Sequence, residues 1–241
     1  VGDKARKGAR AVAVVLAAGS SERMKGRDKI YAPLGGRPLI YYSLALFEEC
    51  PEVDAVIAVA AAGSEEEIRA VAGDYGLAKI KDVVAGGAER RDSAAAGLAA
   101  ATSVASPDAA VLIHDAARPF AAKTLVRRLL EALKDADGAV PAIPPADTIK
   151  RVAEEGDVVA TLARDVLRLA QTPQAFKLRA IADAYRAAVR EGWPVTDDAA
   201  VLEQFGGRVL AVEGERDNFK ITYPEDLALA ELILARKRAG P

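Results

Sequence analysis

The sequence holds a single cysteine, Cys50, and a single histidine, His114. A disulfide framework, a Cys/His zinc site and a Cys-His catalytic pair therefore each lack parts, and imidazole acid-base chemistry would rest on one residue. No apolar run approaches the roughly 20 residues of a spanning helix; the run over residues 11–18 is far shorter. Charge of neither sign is in excess. The 33 Lys and Arg face 35 Asp and Glu, a net of -2, which supplies no broad footprint for nucleic acid or an anionic membrane. Two nucleotide fingerprints are also missing, the GxxxxGK[ST] P-loop and the GxGxxG dinucleotide turn. These absences lead us to expect a soluble, cytoplasmic protein with neither nucleic acid nor membrane as partner.

What remains is 241 residues, 51% apolar and 28% charged, enough for one α/β domain, expected over residues 11–238. Short apolar runs at 11–16, 53–60 and 109–113 alternate with stretches of helical period at 38–49, 65–75 and 124–136. Strands alternating with helices spell βαβ units. Runs that are apolar throughout suit strands buried on both faces of a mostly parallel, Rossmann-like open sheet flanked by helices. Residues 147–165 break the rhythm: two β-prone, partly polar runs flank "EEGD", just after the helix-forbidding "PAIPP". This pattern predicts a hairpin on the edge of the sheet, either paired with another subunit or standing as a solvated flap. Near the end, Thr222 lies three residues before Glu225 with Pro224 between them, predicting a capping box at the start of a closing helix.

The stretch "KARKGARAVAVVLAAGSSERMKGRDK", residues 4–29, has two opposed readings. A basic run, an apolar run and small residues compose a secretory signal. An apolar strand entering a glycine turn with cations beyond it composes a phosphate cradle. Gly19 follows the strand, and Arg23, Lys25, Arg27 and Lys29 stand at every second position. Such cations need an anionic partner or plain solvent, so the turn alone is a weak signal.

Two further clusters strengthen the cradle reading. In "AGGAERRDS", Gly86 and Gly87 permit close backbone approach, with Arg90 and Ser93 on the first turn of an expected helix. In "VLIHDAARP", a buried strand ends in Asp115, followed by Arg118. Each has a plainer explanation: Arg90 and Ser93 as a capped helix start, Asp115 as the cap of the next helix. All three clusters, however, fall at the carboxyl ends of expected strands, where open α/β sheets bind ligands, and should face one crevice.

At this point the sequence resembles the 2-C-methyl-D-erythritol 4-phosphate cytidylyltransferase family. The resemblance is carried in order by "LAAGSSERM", "GGAERRDS", "HDAARPF", "DTIK", "QTPQAF", "VTDDA" and "DNFKITYPEDLALAE", and covers residues 11 to about 236. It implies a nucleotidyltransferase fold of the glycosyltransferase A-like type with a protruding hairpin arm. It also implies transfer of CMP from CTP to 2-C-methyl-D-erythritol 4-phosphate with release of pyrophosphate, in isoprenoid precursor biosynthesis, with Mg²⁺ bound mainly through the CTP phosphates and no metal ligand assigned to the protein.

Carried onto this sequence, the family's roles make Arg23, Lys29 and Lys220 catalytic. Ala17, Ala18 and Gly19 would lie near the nucleotide, Gly87 and Ser93 would contact cytosine or ribose, and Arg90 would hold that motif or its ligand. Asp115 and Arg118 would line the site between CTP and acceptor, while Thr148, Arg164, Thr172 and Thr196 match positions used around the acceptor. The 147–165 hairpin would reach across a homodimer, so that Thr148 and Arg164 complete the partner's site. Three departures bear on the phosphate loop and the second motif: Ser21 where a glycine is usual, Asp28 and Ile30 flanking Lys29 where Pro-Lys-Gln is frequent, and Ala88 where an acidic residue is frequent. If residues 17–29 form the cradle they are not a cleaved signal, and the basic lead at 1–10 is expected to be a disordered extension. Other expectations are the same chemistry on ribitol 5-phosphate or another polyol phosphate, a nucleotide-sugar or molybdopterin nucleotidyltransferase, and a non-catalytic nucleotide-binding module.

Overall fold

A computed structural model describes residues 9–19 and 29–239. The basic lead up to residue 8 and most of the glycine turn, Arg23 included, lie outside the described residues. The chain runs β1 (Ala9–Ala17), a short ribbon of β2 (Pro33–Leu34) and β3 (Arg37–Pro38), α1 (Leu39–Glu48), β4 (Ala55–Ala60), α2 (Glu65–Asp74), β5 (Ile80–Ala85), α3 (Arg90–Val104) and β6 (Ala105–Asp115). After α4 (Lys123–Ala132) come β7 (Gly138–Ile143), β8 (Lys150–Val152), β9 (Val158–Thr161), β10 (Leu169–Ala170), β11 (Gln174–Lys177), α5 (Leu178–Glu191), α6 (Asp198–Gln204), β12 (Val209–Glu213) and α7 (Pro224–Ala239).

Four strands form a parallel block in the order β5, β4, β1, β6. β11 then lies antiparallel between β6 and β7, and β12 adds in parallel to the other side of β7. The sheet is thus mostly parallel, as its apolar runs predict. β1 lies inside it, between β4 and β6, and its consecutive residues go to opposite layers as strand geometry dictates. Ala13 and Val15 pack with Leu44, Phe47, Ile68 and Leu129 from α1, α2 and α4. Val12 and Val14 pack with Leu98, Ile181, Tyr185 and Leu202 from α3, α5 and α6. Helix α7 covers a smaller third cluster, with Ile233 and Leu234 against Leu34, Leu39 and Phe120.

Two expectations need correction. The hairpin is not on the edge of the main sheet: β8 and β9 pair only with each other, antiparallel, around Gly156. Its valines find no layer to pack against, and Val152, Val158 and Val159 are all more than half exposed. At the start of α7, the reciprocal carboxylate is Asp226 rather than Glu225. It accepts from the Thr222 and Tyr223 N–H groups at 2.7 and 2.9 Å, while the Thr222 hydroxyl donates to the Lys220 carbonyl at 3.1 Å. Pro224 does occupy the first helical position, where its missing N–H costs nothing.

Residues 171–173 separate β10 from β11, and there the Gln171 side chain reaches the segment that follows β12. Gln171 Nε2 donates to the Glu215 carbonyl at 2.8 Å, and the Glu215 N–H donates back to Gln171 Oε1 at 3.0 Å. An amide side chain here makes the two bonds a strand residue would make.

Close contact of α3 with the sheet depends on Gly97, where an added Cβ would stand 2.5 Å from Val14 Cγ1 and 2.7 Å from Val59 Cγ2. Alanine is the better helix former by about 1 kcal/mol, but overpacking a core costs about 1–3 kcal/mol. Gly97→Ala is therefore expected to lower the urea midpoint. Gly73→Ala, in α2 with open space around the new methyl group, is expected to hold or raise it. A midpoint that rises in both variants would contradict this packing.

Candidate active site

Because β1, β5 and β6 run parallel, the residues that follow them emerge at one end of the sheet. Ala17 ends β1 with Ala18 and Gly19 just beyond it, Gly86 and Gly87 follow β5, and Asp115 ends β6. They surround a cavity of about 350 Å³ whose wall includes Ala18, Lys29, Ser93, Asp115 and Lys220. The three clusters do face one crevice. Beside it Gly86 packs tightly: a Cβ there would lie 2.5 Å from Ala18 Cβ and 2.6 Å from Ser93 Oγ, so a side chain would press on both of these cavity residues.

The centre of the site is the Asp115 carboxylate, 12% exposed. Lys220 Nζ lies 2.9 Å from Oδ2 and Arg118 Nε 3.8 Å from the same oxygen, while Arg90 Nη2 lies 3.5 Å from Oδ1. Burial pushes the carboxyl pKa up, but Lys220 and Arg90, with Arg118 adding, outweigh it and hold Asp115 well below the ordinary carboxylate range. Asp115 is therefore ionised at neutral pH. It does not cap the next helix: the cap position of α4 is Ala122, whose N–H donates to Glu215 Oε2 at 3.1 Å.

Arg90 is more than a helix start. Its guanidinium donates to both oxygens of Asp198, at 2.9 and 2.7 Å, while the first turn of α3 is closed by Asp92, which accepts from the Glu89 N–H at 3.3 Å. Burial lowers the Arg90 pKa, and the Asp198 and Asp115 carboxylates reverse that and raise it above the ordinary value. Asp198 itself is fully buried and also accepts from the Tyr185 hydroxyl. Neither Asp198 nor Tyr185 stands out in the sequence as a site residue. The only signal is the pair of aspartates in "VTDDA", and the sequence does not say which one caps α6; Asp197 does, accepting from the Ala200 N–H at 3.0 Å.

The remaining expected residues divide into two groups. Ser93, buried, accepts from the Gly87 N–H at 3.2 Å and so shapes the turn that lines the cavity. Lys29 begins a short 3-10 turn on the cavity wall. Arg118 donates to the Asn218 carbonyl at 2.8 Å, and Asn218 Nδ2 donates to the Thr172 carbonyl at 2.8 Å, tying the residues before Lys220 to the end of β6. Thr148 and Arg164, by contrast, are exposed on the arm, where Arg164 donates to the Ala146 carbonyl at 3.0 Å. Neither lines the cavity. Thr196 is exposed just before α6.

Thr172 is buried, and its hydroxyl is engaged within the protein. Oγ1 accepts from the Asp115 N–H at 3.0 Å and lies 3.0 Å from His114 Nδ1, while His114 Nε2 lies 3.0 Å from the Arg118 carbonyl. This order sets the neutral tautomer, with Thr172 donating to Nδ1 and Nε2–H donating to the carbonyl. Burial of the ring holds its pKa down to about 4 against an ordinary 6.5. Between those two values the unfolded chain binds a proton that the folded chain does not, so stability falls as pH falls, by up to about 1.4 kcal/mol per pH unit. Carboxylates held low, Asp115 and Glu52 among them, lose their contributions only below about 4.5. Urea midpoints of the unsubstituted protein are therefore expected to fall between about pH 6.5 and 4.5, and those of His114→Gln to lose that slope; an equal slope in both would show that the imidazole is not the group.

Comparison with known proteins follows the same lines. The family model described as 2-C-methyl-D-erythritol 4-phosphate cytidylyltransferase matches residues 11–236. The enzyme of that name from Rubrobacter xylanophilus is 45% identical over 233 residues, 95% of this chain and 97% of that protein. The one from Halalkalibacterium halodurans is 44% identical over 225 residues, covering 93% and 96%. Among solved structures, 4-diphosphocytidyl-2C-methyl-D-erythritol synthase from Anaerococcus prevotii superposes with a TM-score of 0.82 at 32% identity, over 94% of this chain and 96% of that one. The 2-C-methyl-D-erythritol 4-phosphate cytidylyltransferase of Thermus thermophilus gives 0.75 at 35% identity, over 92% and 98%. With the fold, the motif order and these relatives in agreement, the chain belongs to the 2-C-methyl-D-erythritol 4-phosphate cytidylyltransferase family.

Proposed function

We infer that this chain transfers CMP from CTP to 2-C-methyl-D-erythritol 4-phosphate, giving 4-diphosphocytidyl-2-C-methyl-D-erythritol and pyrophosphate, a step toward isoprenoid precursors. The observation that carries the reading is the ionised Asp115 with Lys220 and Arg90 beside it, in a crevice that also holds Lys29, in a chain of this family. An oxygen of the acceptor phosphate attacks the α-phosphorus of CTP as the bond to the β-phosphate oxygen breaks. That acceptor oxygen is already ionised near neutral pH, since the second pKa of a phosphate monoester is about 6. No strong base is needed, in keeping with a lone histidine that is buried and engaged with Thr172 and Arg118.

The protein's task is electrostatic: to bring two anions together and to stabilise charge on the α-phosphoryl oxygens. Lys29 and Lys220 do this from the cavity wall; the family resemblance gives Arg23, outside the described residues, the same role. Mg²⁺, which shields the triphosphate when bound, would be carried mainly by the CTP phosphates, with Asp115 the carboxylate best placed to meet it. Three cations already surround Asp115, and among the described residues no three His, Cys, Asp or Glu side chains converge. A metal held chiefly by substrate phosphates suits that donor set. CTP and the acceptor are metabolites of the cell interior, and no described helix is long and apolar enough to cross a membrane; we place the enzyme in the cytoplasm.

The arm supports a homodimer as the working form. Its apolar residues, Val152, Val158 and Val159, point to nothing in their own subunit, and Arg164 stands among exposed neighbours away from the cavity. In a symmetric dimer the arm would bring Arg164 and Thr148 to the partner's acceptor site.

Two tests follow. Lys29→Ala and Lys220→Ala are expected to lower kcat by about 10²-fold or more with little change in urea midpoint, measured as pyrophosphate release. Release is expected with CTP and 2-C-methyl-D-erythritol 4-phosphate and not with ribitol 5-phosphate, ATP or GTP; turnover at normal rates in both variants would move the site elsewhere. The second test mixes Lys220→Ala with Arg164→Ala under conditions that exchange subunits. Each variant alone is impaired, but half the dimers would then be mixed and carry one intact site in two, so activity should recover to about a quarter of normal. No recovery, in subunits shown to exchange, would remove Arg164 from the partner's site.

A further inference from the structure

The first turns of α3 and α6 meet at an ion pair that the transfer chemistry does not call for. Asp198 is fully buried, with Arg90 on both of its oxygens and the Tyr185 hydroxyl on Oδ1. It is not needed to start α6. Asp197 supplies that cap, and Gln174 Oε1 accepts the Ala199 N–H at 2.8 Å. Nor is stability a sufficient reason for it, because desolvating two charges offsets most of what a buried pair gains, and apolar residues of similar volume often do as well.

What the pair does fix is geometry. Arg90 Nη2 lies 2.7 Å from Asp198 Oδ2 and 3.5 Å from Asp115 Oδ1, so one guanidinium is held between two carboxylates. Lys220 takes the other oxygen of Asp115. Without Asp198, Arg90 would lose its two shortest bonds and turn toward Asp115, competing with Lys220 for the same carboxylate.

We propose that Asp198 is a positioning residue of the transfer reaction. It holds Arg90 against one oxygen of Asp115 and leaves the other to Lys220. It also ties the start of α6, where Thr196 stands two residues away, to the nucleotide motif at the start of α3. Tyr185 orients Asp198 from behind. Asp198 itself lines no part of the cavity and touches the reaction only through Arg90.

The inference rests on the cytidylyltransferase reading, and the test separates the two. Steady-state kinetics are measured with CTP and 2-C-methyl-D-erythritol 4-phosphate for the unsubstituted enzyme, Asp198→Asn, Arg90→Met and the double variant, with thermal melts of each. Asp198→Asn is expected to lower kcat about 10- to 100-fold, the scale of a misplaced catalytic group, with little change in KM for CTP. The double variant is expected to be no slower than Arg90→Met alone, because Asp198 acts through Arg90. A role in stability alone would leave the kcat of the folded fraction untouched. A normal kcat in Asp198→Asn, or a double variant whose loss is the product of the two single losses, overturns the proposal.

If Asp198→Asn does not fold, Tyr185→Phe decides. Removing that one hydroxyl is expected to slow turnover a few-fold in the native background and not at all beside Arg90→Met, and normal turnover in the native background overturns the proposal. An unsubstituted enzyme that releases no pyrophosphate overturns the cytidylyltransferase reading and this inference with it.

Discussion

A single buried carboxylate organises this crevice. Asp115 sits at the end of β6, inside the sheet between β1 and β11; of the three cations around it, Arg90 from α3 and Lys220 from the segment before α7 come from remote parts of the chain, and Arg118 from the turn just after β6. A carboxylate in that position is costly to bury without partners. Each loop that supplies one is drawn to the same point, and the cavity is the space left between them. The cations that neutralise Asp115 are therefore already assembled beside a space that a triphosphate can enter.

This arrangement reconciles an almost neutral composition with the handling of two anionic substrates. Positive charge is gathered locally and balanced by acid groups behind it, Asp115 and Asp198, so the folded chain avoids a large one-signed field. The imidazole follows the same economy. His114, the only one in the sequence, is buried neutral as a link between Thr172 and the Arg118 carbonyl, which steadies the turn on which Asp115 stands. A reaction whose nucleophile arrives already ionised leaves histidine free for this use.

Much of the frame was legible in the sequence because burial on both faces leaves an unmistakable mark. The continuous apolar runs at 11–16, 53–60 and 109–113 became β1, β4 and β6, and the glycines and cations after them came together at one end. Less legible were the elements specified by partners. β11 and β12 are short, and pairing with β7 defines them more than any period of their own. The hairpin was readable as a hairpin, but its place was not, because exposed valines look the same at a sheet edge and on a free arm. Asp198 was hidden for a related reason: in the sequence it is one of two adjacent aspartates, and only packing shows which is capped to a helix and which is paired with Arg90. Asp226 took the role expected of Glu225 because the helix phase places it, not its neighbour, over the first turn.

The amide of Gln171 bears on how such an enzyme could vary. By bonding both backbone groups of Glu215, it ties the break between β10 and β11 to the segment that follows β12. The segment at 171–173, which carries Thr172 beside Asp115, is thereby released from the regular geometry of the sheet while its ends stay fixed. Changes of side chain within it can act on the turn that holds Asp115 without shifting the register of the six other strands of the sheet. A single glutamine thus lets the surroundings of Asp115 vary while the sheet stays as it is.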